Sequence, residues 1–319
     1  MLIAVGVLVA CLEPASPSAG RGKARRASTS AILAASAASR ARGPLQLSLA
    51  PSPPPRAADR VVVVSVDGLR PDAISSRTRT LRHLRTHGAT AVRADTIESS
   101  STLPSHASMV SGVDVDQHGM DFNGWRPGRG RIRAPSIFSI ARQSGLSTSL
   151  VVAKRKLEHL VHEGDAELFR TGGMFCQRVN SIALPHLGEA GDGVHFVHYS
   201  DVDAAGHRFG WMSREYLRAV RRVDRCLGRL IEALHARGDL ERTLVVITAD
   251  HGGHGRSHGS ARGVDRRIPW IAFGGPAEHG ARIDHVDTQD TAATVLEALG
   301  LPRPPSMDGR PVLAALSRR

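Results

Sequence analysis

A chain of 319 residues with 41% apolar composition can bury one large core, and an ordinary charged fraction of 23% excludes a wholly disordered protein. Aromatic residues, at 4%, are too few for a platform that stacks single-stranded nucleic acid. The net charge of +12 points to a polyanion only until it is located. Residues 1–60 hold Arg21, Lys23, Arg25, Arg26, Arg40, Arg42, Arg56 and Arg60 against Glu13 and Asp59, a net of +6, and the other half is spread thinly. No specific nucleic-acid partner is expected.

Taken in chain order, residues 1–11 (MLIAVGVLVAC) form an apolar run too short to span a bilayer. It suits the apolar part of a secretory signal, although no basic residue precedes it. Leu8-Val9-Ala10-Cys11 resembles a bacterial lipoprotein cleavage box, so Cys11 is a candidate for lipidation and membrane attachment. A second, less apolar candidate signal begins at Arg25-Arg26. Residues 14–59 are rich in Ala, Ser, Pro and Arg and read as a linker. The expectation is a leader over 1–59, one catalytic domain over 60–319, and export to the periplasm, envelope or exterior. Cys176 and Cys226 could then pair, or remain as buried thiols.

From Arg60 onward, apolar runs alternate with helical stretches. The run 61–66 (VVVVSV) has no polar alternation, as expected for a strand covered on both faces. Runs 146–153, 194–199, 244–248 and 269–273 are comparable, and helices are expected over 80–87, 105–111, 135–144, 214–235 and 288–299. Strands separated by helices imply an α/β fold with a mainly parallel central sheet and helices on both faces.

Ligands of such sheets sit beyond the carboxyl ends of the strands. There, VVVVSV runs into Asp67-Gly68, VHFVHYS into Asp201 and Asp203, and LVVITA into Asp250-His251-Gly252. One such Asp is commonly a turn cap. Three at one edge would repel one another unless cations sat among them. Asp203 and His207 are four apart, on one face of a helical turn. His251 adjoins Asp250, and His258 follows after Gly252-Gly253-His254-Gly255, with His254 as the fallback ligand. Carboxylates with imidazoles suit zinc. Between these strands lie the hydroxyls of 99–102, then Leu103-Pro104 and a helix expected to start at Ser105, a place suited to an anion or simply a Ser-rich turn.

Asp67-Gly68, Thr102-Leu-Pro-Ser-His106, His118-Gly-Met-Asp-Phe-Asn123, Asp203-x-x-Gly206-His207, Asp250-His251-Gly252 and His258-Gly259 stand in the order seen in the alkaline phosphatase superfamily. The chain most resembles the type I phosphodiesterases/nucleotide pyrophosphatases and their bacterial relatives over residues 60–315. The resemblance implies an alkaline-phosphatase-like fold and two zinc ions. Asp67, Thr102, Asp250 and His251 would hold one, and Asp203, His207 and His258 the other. It implies Thr102 as nucleophile and Asn123 as a contact to a phosphate oxygen. Thr102 stands where sulfatases carry Cys or Ser, and a threonine cannot become formylglycine.

The implied activity is hydrolysis of a small phosphorylated substrate through a phospho-threonine. Two zinc ions and three Asp leave about one positive charge, which the single negative charge of a diester balances, and cleavage of a diester or pyrophosphate is expected. A monoester dianion needs more cations. Lys154 and Lys156, in the triplet after strand 146–153, could supply them, although a solvent-facing basic turn is the simpler expectation. Other readings are a phosphotransferase on the same site, or a basic protein binding polyanions through its leader and Arg126, Arg129, Arg131 and Arg133.

Overall fold

The computed structural model describes residues 56–317, which belong to one compact unit. The candidate signal, Cys11 and most of the linker lie outside the described residues. The chain runs through β1 (Arg60–Val66), α1 (Arg79–His87), β2 (Ala89–Asp95), α2 (Thr102–Ser111), α3 (Val115–His118), α4 (Ile137–Gln143), β3 (Ser147–Val152) and β4 (Leu168–Thr171). It continues through α5 (Cys176–Glu189), β5 (Gly193–Tyr199), α6 (Asp201–Phe209), α7 (Arg214–Ala236), β6 (Thr243–Thr248), α8 (Gly263–Arg266), β7 (Arg267–Ile268), β8 (Trp270–Phe273), β9 (Arg282–Asp287) and α9 (Asp290–Ala298).

The strands form one sheet in the order β4-β3-β5-β1-β6-β8-β2-β7, with β9 on β2. Strands β1, β5 and β6 lie at its centre, pair in parallel, and are buried along their whole length. That is why β1 and β6 carry the unbroken apolar stretches 61–64 and 244–247, while β5 is interrupted only by the buried His195 and His198. The expected run 269–273 is a strand, β8, but it lies antiparallel to β6. The chain leaves β6 at the carboxyl edge, spends residues 249–266 there on the loop that carries the histidines, and re-enters the sheet from that same edge. No helix carries it back across the sheet, as a parallel return requires.

Helix α2 starts at Thr102, three residues before the expected start. Pro104 falls inside the first turn, where a missing N–H breaks no helical bond. Ser101 occupies the cap position without a side-chain capping bond. Cys176 at the start of α5 and Cys226 in α7 form a disulfide, with Cα atoms 6.2 Å apart. Among the described residues no helix is long and apolar enough to cross a membrane.

Candidate active site and metal centre

The carboxyl edge of the sheet gathers the expected residues. Asp67 follows β1 and Asp250 and His251 follow β6, all fully buried. Asp203 and His207 lie one turn apart in α6, with Nε2 to Oδ1 at 3.2 Å. Gly68 turns the chain after Asp67 at φ +73°, and a Cβ there would stand 3.1 Å from the Asp203 backbone. The first two strand ends are thus packed to the closest approach that a glycine allows.

Two ligand clusters result, each with its donor atoms within 4.8 Å of one another: Asp203, His207 and His258, and Asp67, Asp203 and His251. Asp250 joins the second, its Oδ2 being 3.4 Å from His251 Nε2. Asp203 thus faces both clusters. The buried Asp67 Oδ1, Asp203 Oδ1, Asp250 Oδ2 and His251 Nε2 have no hydrogen-bond partner, and they all converge here. Buried polar atoms are normally satisfied, so four orphans at one point fit cation ligands. Burial also lowers the pKa of His251, and that of His258 to about 4, leaving both as the neutral imidazoles that bind metal. His258 stacks on His251 at 3.7 Å and gives Nδ1 to the Ser100 carbonyl, at 3.0 Å. His254 instead bonds Asp265 at 2.7 Å and belongs to neither cluster.

The carboxylates are not alike. Burial opposes ionisation of Asp67, but the Lys154 ammonium at 2.7 Å and the His198 ring at 3.0 Å hold it well below the usual range. Asp250 is pushed well above that range by burial and then by the Asp67 charge. Lys154 Nζ also lies 2.6 Å from Asp203 Oδ2 and 3.5 Å from Thr102 Oγ1. The solvent-facing turn expected for it is not what the fold builds.

Thr102 stands buried at the N-terminus of α2, whose ten residues are all buried. The first N–H groups of a helix have no intrahelical acceptor. Leu103 N–H donates to Asn123 Oδ1 at 3.0 Å and Pro104 has no N–H, so the Thr102 amide is the one left to meet an anion. Lys156 Nζ also donates to Asn123 Oδ1, at 2.7 Å. Burial, and then repulsion from Lys154, lower its pKa to about 8.

One chemistry-bearing residue, His198, escapes sequence reasoning. His198, the second histidine of VHFVHY, bonds Asp67 through Nε2 and accepts the Ala153 N–H at Nδ1, at 3.2 Å. His106 joins Ser65 Oγ at 2.8 Å to the Thr102 carbonyl at 2.7 Å, so it orients the Thr102 backbone. Asp201 turns away, accepting the Cys176 N–H at 2.8 Å and pairing with Arg222. The arginines of the 126–133 loop are largely engaged internally, Arg129 with Asp121, Arg131 with Glu158, and Arg133 with the Asp116 carbonyl.

Comparison with known proteins finds relatives of this chain. A family model described as type I phosphodiesterase / nucleotide pyrophosphatase matches residues 61–164 and 178–265. Among curated proteins, the 2,3-bisphosphoglycerate-independent phosphoglycerate mutase of Cereibacter sphaeroides is 35% identical over 150 residues, 44% of this chain and 28% of that protein. The corresponding mutase of Desulforudis audaxviator is 35% identical over 124 residues, 37% of this chain and 23% of its own length. The chain thus spans about a quarter of the curated relatives it matches. Among solved structures, murine ectonucleotide pyrophosphatase / phosphodiesterase 5, in an inactive form with AMP, superposes with a TM-score of 0.71 at 13% identity, covering 81% of this chain and all of that one. A phosphonate monoester hydrolase from Silicibacter pomeroyi gives 0.61 at 16% identity, covering 80% of this chain and 76% of that one. At such identities the two structures speak for the fold alone. With more than half of its length matched by the family model, the chain belongs to the type I phosphodiesterase/nucleotide pyrophosphatase family of the alkaline phosphatase superfamily.

Proposed function

We propose that the chain hydrolyses phosphodiesters or nucleotide pyrophosphates through a phospho-threonine at Thr102, with two zinc ions as cofactor. The observation that carries this reading is the placement of Thr102 at the free N-terminus of α2, beside two clusters of orphaned carboxylate and imidazole donors. Asp67, Thr102, Asp250 and His251 would hold one zinc and Asp203, His207 and His258 the other. Bound there, the ions would supply the charge that lowers the nucleophile's pKa, balances the attacking and leaving oxygens, and provides hydroxide near neutral pH.

The remaining steps belong to the chain. Thr102 Oγ1 attacks phosphorus, the P–O bond to the leaving group breaks, and the threonine holds the phosphoryl group. Water then attacks phosphorus, releasing the product and restoring the hydroxyl. The Thr102 amide and Asn123 Nδ2 would bind the equatorial oxygens, because Asn123 Oδ1 is occupied by Leu103 and Lys156. His198 and His106 hold Asp67 and the Thr102 backbone in place.

A second reading has its own observation. Lys154 and Lys156 both reach the site, and their charges are those that a monoester dianion lacks in the two-zinc count. The experiment measures zinc-loaded hydrolysis of nitrophenyl phosphate mono- and diesters, in water without an alcohol acceptor, by wild type and a Lys154→Ala/Lys156→Ala variant. A diester preference that the variant keeps supports the first reading. A monoester preference that collapses in the variant supports the second. Nitrophenol released only when an acceptor alcohol is added, with the phosphoryl group recovered on that alcohol, would make the chain a phosphotransferase. Export to an oxidising compartment is supported by the Cys176–Cys226 disulfide.

A further inference from the structure

On the side of the molecule behind the metal ligands, α7 presents a stripe of arginine. At 100° per residue, Arg214, Arg218, Arg221, Arg222, Arg225 and Arg229 fall within about 100° of arc and along about 22 Å of helix. Arg218 pairs with Glu215 at 3.1 Å and Arg222 with Asp201 at 3.3 Å. Among the described residues, no carboxylate lies within ion-pair distance of Arg214, Arg221, Arg225 or Arg229. The helices packed beside α7 add the exposed Arg82 on α1 and Arg178 on α5.

Next to this stripe the surface is apolar. Met174, Phe175 and Phe209 are 56%, 55% and 44% exposed, half of the large exposed hydrophobic residues among those described. They border one shallow groove of about 260 Å³ between α6 and α7, floored by Ala205 and Ala219. The disulfide fixes this composition. Cys176 follows Phe175 and Cys226 follows Arg225, so a covalent bond holds the apolar residues against the arginine helix. Helix α6 faces two ways: Asp203 and His207 share the metal side, while Ala205 and Phe209 lie roughly opposite.

We propose that the α7 stripe and the Met174–Phe175–Phe209 patch dock the protein on an anionic phospholipid surface. Headgroup phosphates would meet the arginines while the three apolar side chains enter the boundary of the acyl layer. A nucleic acid would use the arginines but leave the apolar patch in water. Stacking of bases on it is also obstructed, because Arg222 and Arg208 lie over the Phe175 and Phe209 rings, at 5.6 and 5.1 Å. The metal ligands on the other face of α6 would then sit one helix diameter from the membrane, about 10 Å.

The test is flotation of the full-length chain with vesicles of phosphatidylglycerol and phosphatidylethanolamine, against vesicles of phosphatidylcholine. An Arg214→Glu/Arg225→Glu/Arg229→Glu variant changes exposed residues without acidic partners, and a Phe175→Ser/Phe209→Ser variant changes only the patch. Wild-type thermal unfolding in both shows that the fold is kept. The wild type should float with phosphatidylglycerol and stay behind with phosphatidylcholine. The charge-reversed variant should lose about a hundredfold in partitioning. The Phe variant should bind in dilute buffer and release at an ionic strength of about 0.15 M. Equal flotation of wild type and charge-reversed variant would overturn the proposal, because binding would then lie elsewhere, as in the leader. So would equal affinity for both vesicles. Loss of duplex DNA binding in the charge-reversed variant, with vesicle flotation untouched by the Phe substitutions, would reassign the stripe to nucleic acid.

Discussion

The Lys154 ammonium lies 2.7 Å from Asp67 Oδ2 and 2.6 Å from Asp203 Oδ2, so a side chain of the protein bridges two of the carboxylates that divalent ions would share. Removing one partner of a buried ion pair leaves the other uncompensated, at a cost of about 3 kcal/mol or more. Lys154→Met should therefore lower the melting temperature of chelator-treated protein while raising its zinc affinity by about tenfold or more. Calorimetry with and without zinc reads both effects. A variant that loses stability and zinc affinity together would show that the lysine supports the metal ligands rather than competing with ions for them.

Thr102 Oγ1 has one polar contact, Lys154 at 3.5 Å, and so does little for the fold. Thr102→Ala should lower turnover by about three or more powers of ten, with metal content and melting temperature close to wild type. Ser101→Ala should keep most activity. The reverse pattern would move the nucleophile by one residue.

Asp203 faces both ligand clusters, whereas His207 faces one. Elemental analysis after equilibration with zinc should give about two ions in wild type and about one in His207→Ala. Asp203→Ala should hold fewer than His207→Ala. Activity should vanish on chelation and return with zinc. One ion or none in active wild type would refute the two-ion reading.

His118 is buried and its pKa is lowered by that burial from 6.5 to about 4. Its Nδ1 accepts the Met120 N–H, so a second ring proton would point at a donor. Because the folded value lies below the unfolded one, its contribution is complete above about pH 6.5 and is lost as pH falls toward about 4, up to about 3 kcal/mol. Urea titrations between pH 4 and 8 should show that slope, and His118→Gln should flatten it. An unchanged slope would place the acid sensitivity in the other histidines whose pKa burial lowers, such as His195, lowered to about 3, and His258, lowered to about 4.

What the sequence exposes follows from burial. Strands β1, β5 and β6 are covered on both faces and announce themselves as largely apolar runs, and the aspartates at their ends are legible for the same reason. Strand β2 escapes because Val92 and Arg93 at its middle are exposed, and β9 because its residues alternate irregularly. The basic triplet at 154–156 cannot be distinguished from a solvated turn until β3 is set beside β5 and directs Lys154 inward. His198 resembles any strand histidine. Its task exists only because β1 and β5 are in register, Val66 opposite Tyr199.

The antiparallel return of β8 has an evolutionary consequence. Because β6 and β8 are hydrogen-bonded neighbours, the histidine-bearing loop between them begins and ends at almost the same place. His258 is moored to Ser100, and Asp265 moors both His254 and Ser260, so ligand geometry is set by anchors rather than by loop length. The exposed residues 261–264 can therefore receive an insertion without shifting any strand. Such a graft would stand beside the ligand clusters as a new wall, changing what can approach them while the clusters keep their own geometry.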